Sequence, residues 1–205
     1  VYTTSSSKNT YSTFGAFQMS NYGNNMSNVE CYNNIFYVNG VNANGPLFLL
    51  NVPTVFVAQK PKFINNLYWS KSGQFRYVYG NPYSSLTDFR TAGNECEKLL
   101  GINKGFEIDP LLLNVDLPSP TNFPRVNDSL NAYKALAASP VIDKGLNLKS
   151  TFNIDFGNRD FWNNALSSNQ TIDIGAHEFA NASSIESFKT TQSYNLYPNP
   201  FNDGL

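Results

Sequence analysis

Asn33-Asn34-Ile35-Phe36-Tyr37 recurs 32 residues downstream as Asn65-Asn66-Leu67-Tyr68-Trp69. Ahead of each copy lies a second matching stretch, Ala16-Phe17-Gln18-Met19-Ser20-Asn21 and then Leu47-Phe48-Leu49-Leu50-Asn51. Phe17 and Phe48 are 31 positions apart, so two separate landmarks keep nearly one period. Between them sit further short strand candidates, 28–32 and 54–58, each bounded by Asn, Gly or Pro, the residues that punctuate strands.

Several short strands per repeat, with too little chain between them for crossover helices, predict successive coils of a β-solenoid. Inward side chains then stack on their counterparts one coil away, placing Phe36 over Tyr68 and Ile35 over Leu67. The paired asparagines belong at a bend, where their amides can stack and satisfy turn backbone. The competing fold is a β-sandwich containing two strands that are alike by accident.

Composition points the same way. The 205 residues suffice for one domain with a real core. They include 30 asparagines, a residue that tolerates left-handed backbone and bonds to its own neighbours, and so favours turns over helix interiors. Fourteen Lys and Arg against 15 Asp and Glu leave a net charge of -1, which argues against a nucleic-acid or anionic-membrane partner. No apolar run is long enough to cross a membrane as a helix, so no transmembrane segment is expected. Cys31 and Cys96 form neither a disulfide framework nor a metal set. They read as two small thiols, with a single bridge as the alternative. His177 is the only histidine, which leaves no Ser-His or Cys-His pair elsewhere in the chain.

After Trp69 the rhythm breaks. Residues 74–79 read as one more strand, and Ser85-Leu86-Thr87-Asp88 as a capping box opening a short helix that Gly93 stops. Residues 95–100 are expected to add a further turn.

The order Asn-Asn-Leu-Tyr-Trp at 65–69, the helix with Ser85-Leu86 and Phe89, and Ile108-Asp109-Pro110-Leu111 resemble bacterial right-handed parallel β-helix repeat proteins. Ala138-Ser139-Pro140-Val141-Ile142-Asp143-Lys144-Gly145 is similar to the SPAIDxG motif that follows their last coils. Asp155-Phe156-Gly157-Asn158-Arg159 and Asp173-Ile174-Gly175-Ala176-His177-Glu178-Phe179 are similar to their closing elements. The resemblance implies an all-β fold: the last coils of a parallel β-helix with a C-terminal cap and a short helix over 1–180. Asp143, Asp155, Asp173 and Glu178 are expected to accept turn backbone N–H groups, with Arg159 paired to one of them. A calcium site is the competing reading, and no other cofactor is implied. His177 stands where the family usually has an aromatic residue, and is expected to pack as a tyrosine surrogate.

Residues 181–193 form a polar linker. Leu196-Tyr197-Pro198-Asn199-Pro200, within 194–205, resembles the start of the type A C-terminal sorting domain of the Bacteroidetes type IX secretion system. That resemblance implies export across a Gram-negative outer membrane to the cell surface, with the translocon and its outer-membrane shuttle as partners. Asp128-Ser129-Leu130 fits the O-glycosylation acceptor pattern of the same envelopes, which makes Ser129 a candidate.

The resemblance to β-helix repeat proteins implies extracellular polysaccharide as the partner. One reading is a polysaccharide lyase or glycoside hydrolase, whose catalytic residues the sequence leaves unassigned and which are expected in coils upstream. The other is a non-catalytic adhesin or coat protein. Lys60, Lys62, Tyr68, Trp69, Arg76 and Tyr79 are the sugar-contact candidates, by aromatic stacking and by cation pairing with a carboxylate or sulfate. Against this stands the reading in which Tyr68 and Trp69 are core rungs and the lysines solvated edges.

Overall fold

A computed structural model describes residues 2–4, 15–20, 26–42, 45–115, 130–166 and 171–179. Their regular structure is mostly strands. In chain order these are β1 (Tyr2–Thr4), β2 (Glu30–Tyr32), β3 (Ile35–Asn39), β4 (Val41–Asn42), β5 (Gly45–Pro46), β6 (Leu50–Val52) and β7 (Lys62–Ile64). There follow β8 (Leu67–Ser70), β9 (Tyr77–Tyr79), β10 (Asn81–Tyr83), β11 (Lys98–Leu99), β12 (Ile102–Asn103) and β13 (Phe106–Glu107). Helices among the described residues include Thr54–Val57, Leu86–Thr91, Leu148–Phe152 and a 3-10 turn at Asn131–Tyr133. No helix among the described residues is long and apolar enough to cross a membrane.

Successive passes of the chain pair in parallel along three ladders. One is the four-stranded sheet β1-β3-β8-β13, in which Ile35 faces Leu67, Phe36 faces Tyr68 and Tyr37 faces Trp69. A second pairs β2 with β7, Glu30 opposite Lys62. In the third β6 pairs with β9, Leu50 opposite Tyr77, and isolated bridges add Gly15 to Phe48 and Gln18 to Asn51.

The corner between the second ladder and the first is made by the asparagine pairs. Asn33 and Asn65 both take left-handed backbone, φ 54° and 59°, which few residues other than Gly and Asn accept cheaply. Their amides stack along the ladder. Asn65 Nδ2 donates to Asn33 Oδ1 at 2.9 Å, and Asn34 Nδ2 and backbone N both donate to Asn66 Oδ1.

Alternation along β3 and β8 serves two cores. Phe36, Val38 and Tyr68 point inward with Leu49, Val52, Phe63, Tyr77 and Phe89. The Phe36 and Tyr68 rings stack at 5.5 Å. Ile35, Leu67, Trp69 and Phe106 face the other way and meet Ala135, Val141 and Ile174 from the C-terminal segment. Burying Val141 and Ile174 contributes about 1.5–3 kcal/mol each, which fixes that segment on the outer face of the sheet.

Several expectations need correction. Phe17 is not the partner of Phe48: the bridges shift the register by two, so Gly15 meets Phe48 and side-chain parity survives. Residues 54–58 start a one-turn helix rather than a strand, because Pro53 opens it and only Phe56 needs burial. The turn expected at 95–100 does form, Lys98 N donating to Glu95 O at 3.0 Å, and it leads into an antiparallel hairpin with Lys98 opposite Asn103. The short helix forms as read, with Ser85 Oγ accepting from Asp88 N at 3.0 Å.

Cys31 and Cys96 are free thiols. Cys31 pairs across to Phe63, whose N donates to Cys96 O at 2.7 Å. The cysteines therefore flank a strand, about 9–10 Å apart and beyond disulfide reach. Ser129, the linker 181–193 and the tail 194–205, including Leu196 to Pro200, lie outside the described residues.

Candidate functional site

The C-terminal segment is clasped by its carboxylates. Asp173, buried, accepts Asp143 N through Oδ1 at 2.8 Å and Phe179 N through Oδ2 at 2.7 Å. Glu178 Oε2 accepts Asp173 N at 3.1 Å. Asp155 Oδ1 accepts Gly157 N at 3.0 Å, and Asp143 Oδ1 accepts the Thr171 hydroxyl. Arg159 is placed differently from the expectation. Its Nη1 donates to Asn163 O at 2.8 Å, and no carboxylate ion-pairs with it among the described residues. An exposed guanidinium gains little from a surface ion pair, so a turn carbonyl four residues on suffices to hold it.

The acid that ties the clasp together is Asp160, which sequence reasoning missed. Its Oδ1 accepts Asn164 N, and its Oδ2 accepts both Asn164 Nδ2 and Glu178 N, all at 2.7–2.8 Å. An Asp shortly before Asn163-Asn164 is a turn signal, but nothing in the sequence marks its reach to Glu178, 18 positions on. His177 packs edge-on to Trp162 and to Phe179, and its Nδ1 accepts Ala135 N at 3.2 Å.

Between this clasp and the outer side of β2 and β3 lies a cleft of 660 Å³. Tyr37, Tyr133, Phe161, Trp162 and His177 contribute rings to its walls, and Asp160, Asp173, Glu178 and Arg159 contribute charge. Its acids titrate apart. Burial, reinforced by Asp173, Asp143 and Asp160, pushes the Glu178 carboxyl up to about 7. Burial also raises Asp173 and lowers His177. Asp160 is held below its usual value: burial opposes ionisation there, and the hydrogen bonds it accepts from Glu178 and Asn164 outweigh it. Near neutral pH the cleft therefore holds Asp160 as an anion, the Glu178 carboxyl divided between neutral and charged forms and a neutral His177 imidazole, beside the Arg159 guanidinium.

The six sugar-contact candidates do not form one site. Tyr68 is 1% exposed and belongs to the inner core, with burial holding its phenol far above the usual range. Trp69 packs on Phe75 at 5.7 Å, and Arg76 lies 4.1 Å over the Phe48 ring. Stacking demands an open ring face, and these residues give theirs to the core. Lys60, Lys62 and Tyr79 do come together, with Lys98, around a groove of 550 Å³. Lys62 is paired to Glu30 and Lys98 to Glu95, however, and burial pushes the Tyr79 phenol up to about 12. Half-neutralised cations and a phenol that keeps its proton make a poor pocket for a single sugar carboxylate or sulfate.

No group of three or more His, Cys, Asp or Glu is arranged to hold a metal among the described residues. Of the acids named for calcium, Asp155, Asp173 and Glu178 accept backbone N–H groups and Asp143 accepts the Thr171 hydroxyl. No family model, curated protein or solved structure matches the chain.

Proposed function

We propose that these residues are the last coils and closing cap of a right-handed parallel β-helix that binds extracellular polysaccharide through the aromatic cleft at the cap. The fold reading is supported by the parallel pairing of successive passes, which a sandwich of antiparallel hairpins does not produce. Right-handedness follows from the general preference of parallel crossovers.

The observation that carries the sugar reading is the cleft itself: aromatic walls beside a small set of convergent polar groups. Its charge selects the substrate class. Ionised Asp160, with Asp173 and Glu178 nearby, outweighs the single Arg159 guanidinium and disfavours uronate and sulfate, so the ligand is a neutral glycan. Binding is favoured over turnover because the hydrogen-bonding oxygens of Asp160, Asp173 and Glu178 are committed to backbone amides. Lyase or glycoside hydrolase chemistry would fall to groups outside these residues. The tail motif supports delivery to the cell surface by type IX secretion, with Ser129 as a glycosylation point.

The full chain should be titrated with neutral and uronate-containing polysaccharides, with and without calcium, following tryptophan fluorescence in a Trp69→Phe background so that Trp162 alone reports. Neutral glycans should change the emission without calcium, and Phe161→Ala should weaken binding about tenfold. Tighter binding of polyuronates than of neutral glycans, or an unaltered affinity in Phe161→Ala, would overturn the assignment. Export is tested separately: cells lacking the type IX translocon should retain the protein in the periplasm, and unchanged surface display would refute that route.

A further inference from the structure

At the corner where Asn33-Asn34 and Asn65-Asn66 turn the chain in two residues each, the next pass does something else. Cys96 still bonds to β7 and Phe106 still pairs with Leu67, but residues 97–105 between them throw out the β11–β12 hairpin. The root of this insertion is built into the fold. Buried Glu97 pairs with Arg90 Nε at 2.6 Å, and Arg90 Nη2 donates to Gly105 O at 2.9 Å. A Cβ at Gly105 would overlap the Glu97 carboxylate, so only glycine fits there.

The tip is the unusual part. Leu100 and Gly101 both have positive φ, 51° and 79°, the pattern of a tight two-residue hairpin loop that Asn-Gly makes without strain. A leucine there works against its own backbone preference. It is also 94% exposed, and Ile102 behind it is 60% exposed. A large apolar side chain held in a disfavoured conformation at the outermost point of a loop stabilises nothing within the chain.

Lysines lie at the base of this hairpin. Lys98 and Lys104 bracket it along the chain, and Lys60 and Lys62 line the groove that Lys98 and Leu99 share. Glu95 and Glu30 pair with Lys98 and Lys62, while Lys60 and Lys104 have no ion pair among the described residues. The overall charge of -1 thus conceals a local excess of cations.

We infer that the 98–103 hairpin is a membrane-surface insertion tip, seating Leu100 and Ile102 at the headgroup–acyl boundary of an anionic bilayer with the lysines at phosphate level. A groove on another protein would call for a broader apolar face. Two apolar side chains on a narrow turn, with cations behind them at its base, match shallow interfacial insertion. The inference is independent of the sugar reading, since the hairpin shares no residue with that cleft.

Flotation of the full chain with phosphatidylcholine vesicles containing about a third phosphatidylglycerol tests it. Binding should exceed that to pure phosphatidylcholine and should fall with added salt. Leu100→Asn is the informative variant, because Asn suits the left-handed position: it should melt no lower than wild type yet bind these vesicles about tenfold more weakly. Equal vesicle binding by wild type and Leu100→Asn would overturn the proposal. So would wild-type self-association that Leu100→Asn abolishes without any anionic-lipid preference, which would make the tip a contact between copies.

Discussion

Replacing Asn65 isolates the interaction on which the stacked corner depends. Asn65 is 3% exposed, and its Nδ2 donates to Asn33 Oδ1 at 2.9 Å and to Lys144 O at 2.8 Å, so one amide joins a neighbouring pass and the C-terminal segment. Asn65→Ala removes both bonds, at about 1 kcal/mol each, and leaves Lys144 O short of a partner. It also forces a Cβ-bearing residue without a compensating side-chain bond into φ 59°, about 1 kcal/mol more. The total is about 3–4 kcal/mol, on the order of 10 °C in melting temperature for a chain of this size. Asn65→Gly loses the bonds but accepts the backbone, and should cost about 2 kcal/mol. Asn65→Asp should be worst of the three, because it turns a carboxylate toward two oxygens in a buried place. Urea denaturation at constant m-value measures all three. If glycine proves more damaging than alanine, or aspartate as mild as glycine, the corner is not held by this amide and its left-handed backbone.

Arg90→Met should cost about 3–4 kcal/mol because it strands the buried Glu97 carboxylate, whereas Arg90→Met/Glu97→Leu should recover most of that loss in a double-mutant cycle. Glu178 gives the clasp a pH dependence. With its folded value near 7 and its ordinary value at 4.5, the neutral form is favoured by folding, so its contribution is full below 4.5 and lost as pH rises through 7. After allowance for solvent screening this amounts to about 1 kcal/mol. Amide exchange at Asp173 and Phe179, corrected for its intrinsic rate, should therefore quicken between pH 5 and pH 8. Glu178→Gln should remove that trend. His177, held low by burial, acts in the opposite sense below about 6.5, and it remains in the variant as an internal reference.

The stacked corner was legible because its rule is local and repeated. Left-handed backbone selects Asn, inward positions select large apolar residues, and both recur at one spacing, as Asn33 with Asn65 and Phe36 with Tyr68 show. The clasp was legible only as a set of acids. Asp173 and Glu178 could be named from their motif, but Asp160 reaches Glu178 across a turn, and tertiary distance leaves no mark on spacing. Sequence left Tyr68 and Trp69 open between sugar contact and core rung, because an aromatic on a short strand reads alike whether its ring faces water or core. The 97–105 hairpin was hidden for a related reason, since Lys98-Leu99 and Ile102-Asn103 are too short to show alternation.

Partner strands in these ladders are separated by unequal lengths of chain: Leu50 and Tyr77 are 27 positions apart, Ile35 and Leu67 are 32, and Leu67 and Phe106 are 39. Neighbours recognise one another by edge and side chain rather than by residue count, so surplus sequence is shed at the bends without disturbing the rungs. Lengthening a bend therefore asks little of the rest of the molecule. Such a framework can diversify what it displays along one flank while conserving how it holds itself upright, and the bend carrying Leu100 is one instance of that freedom already used.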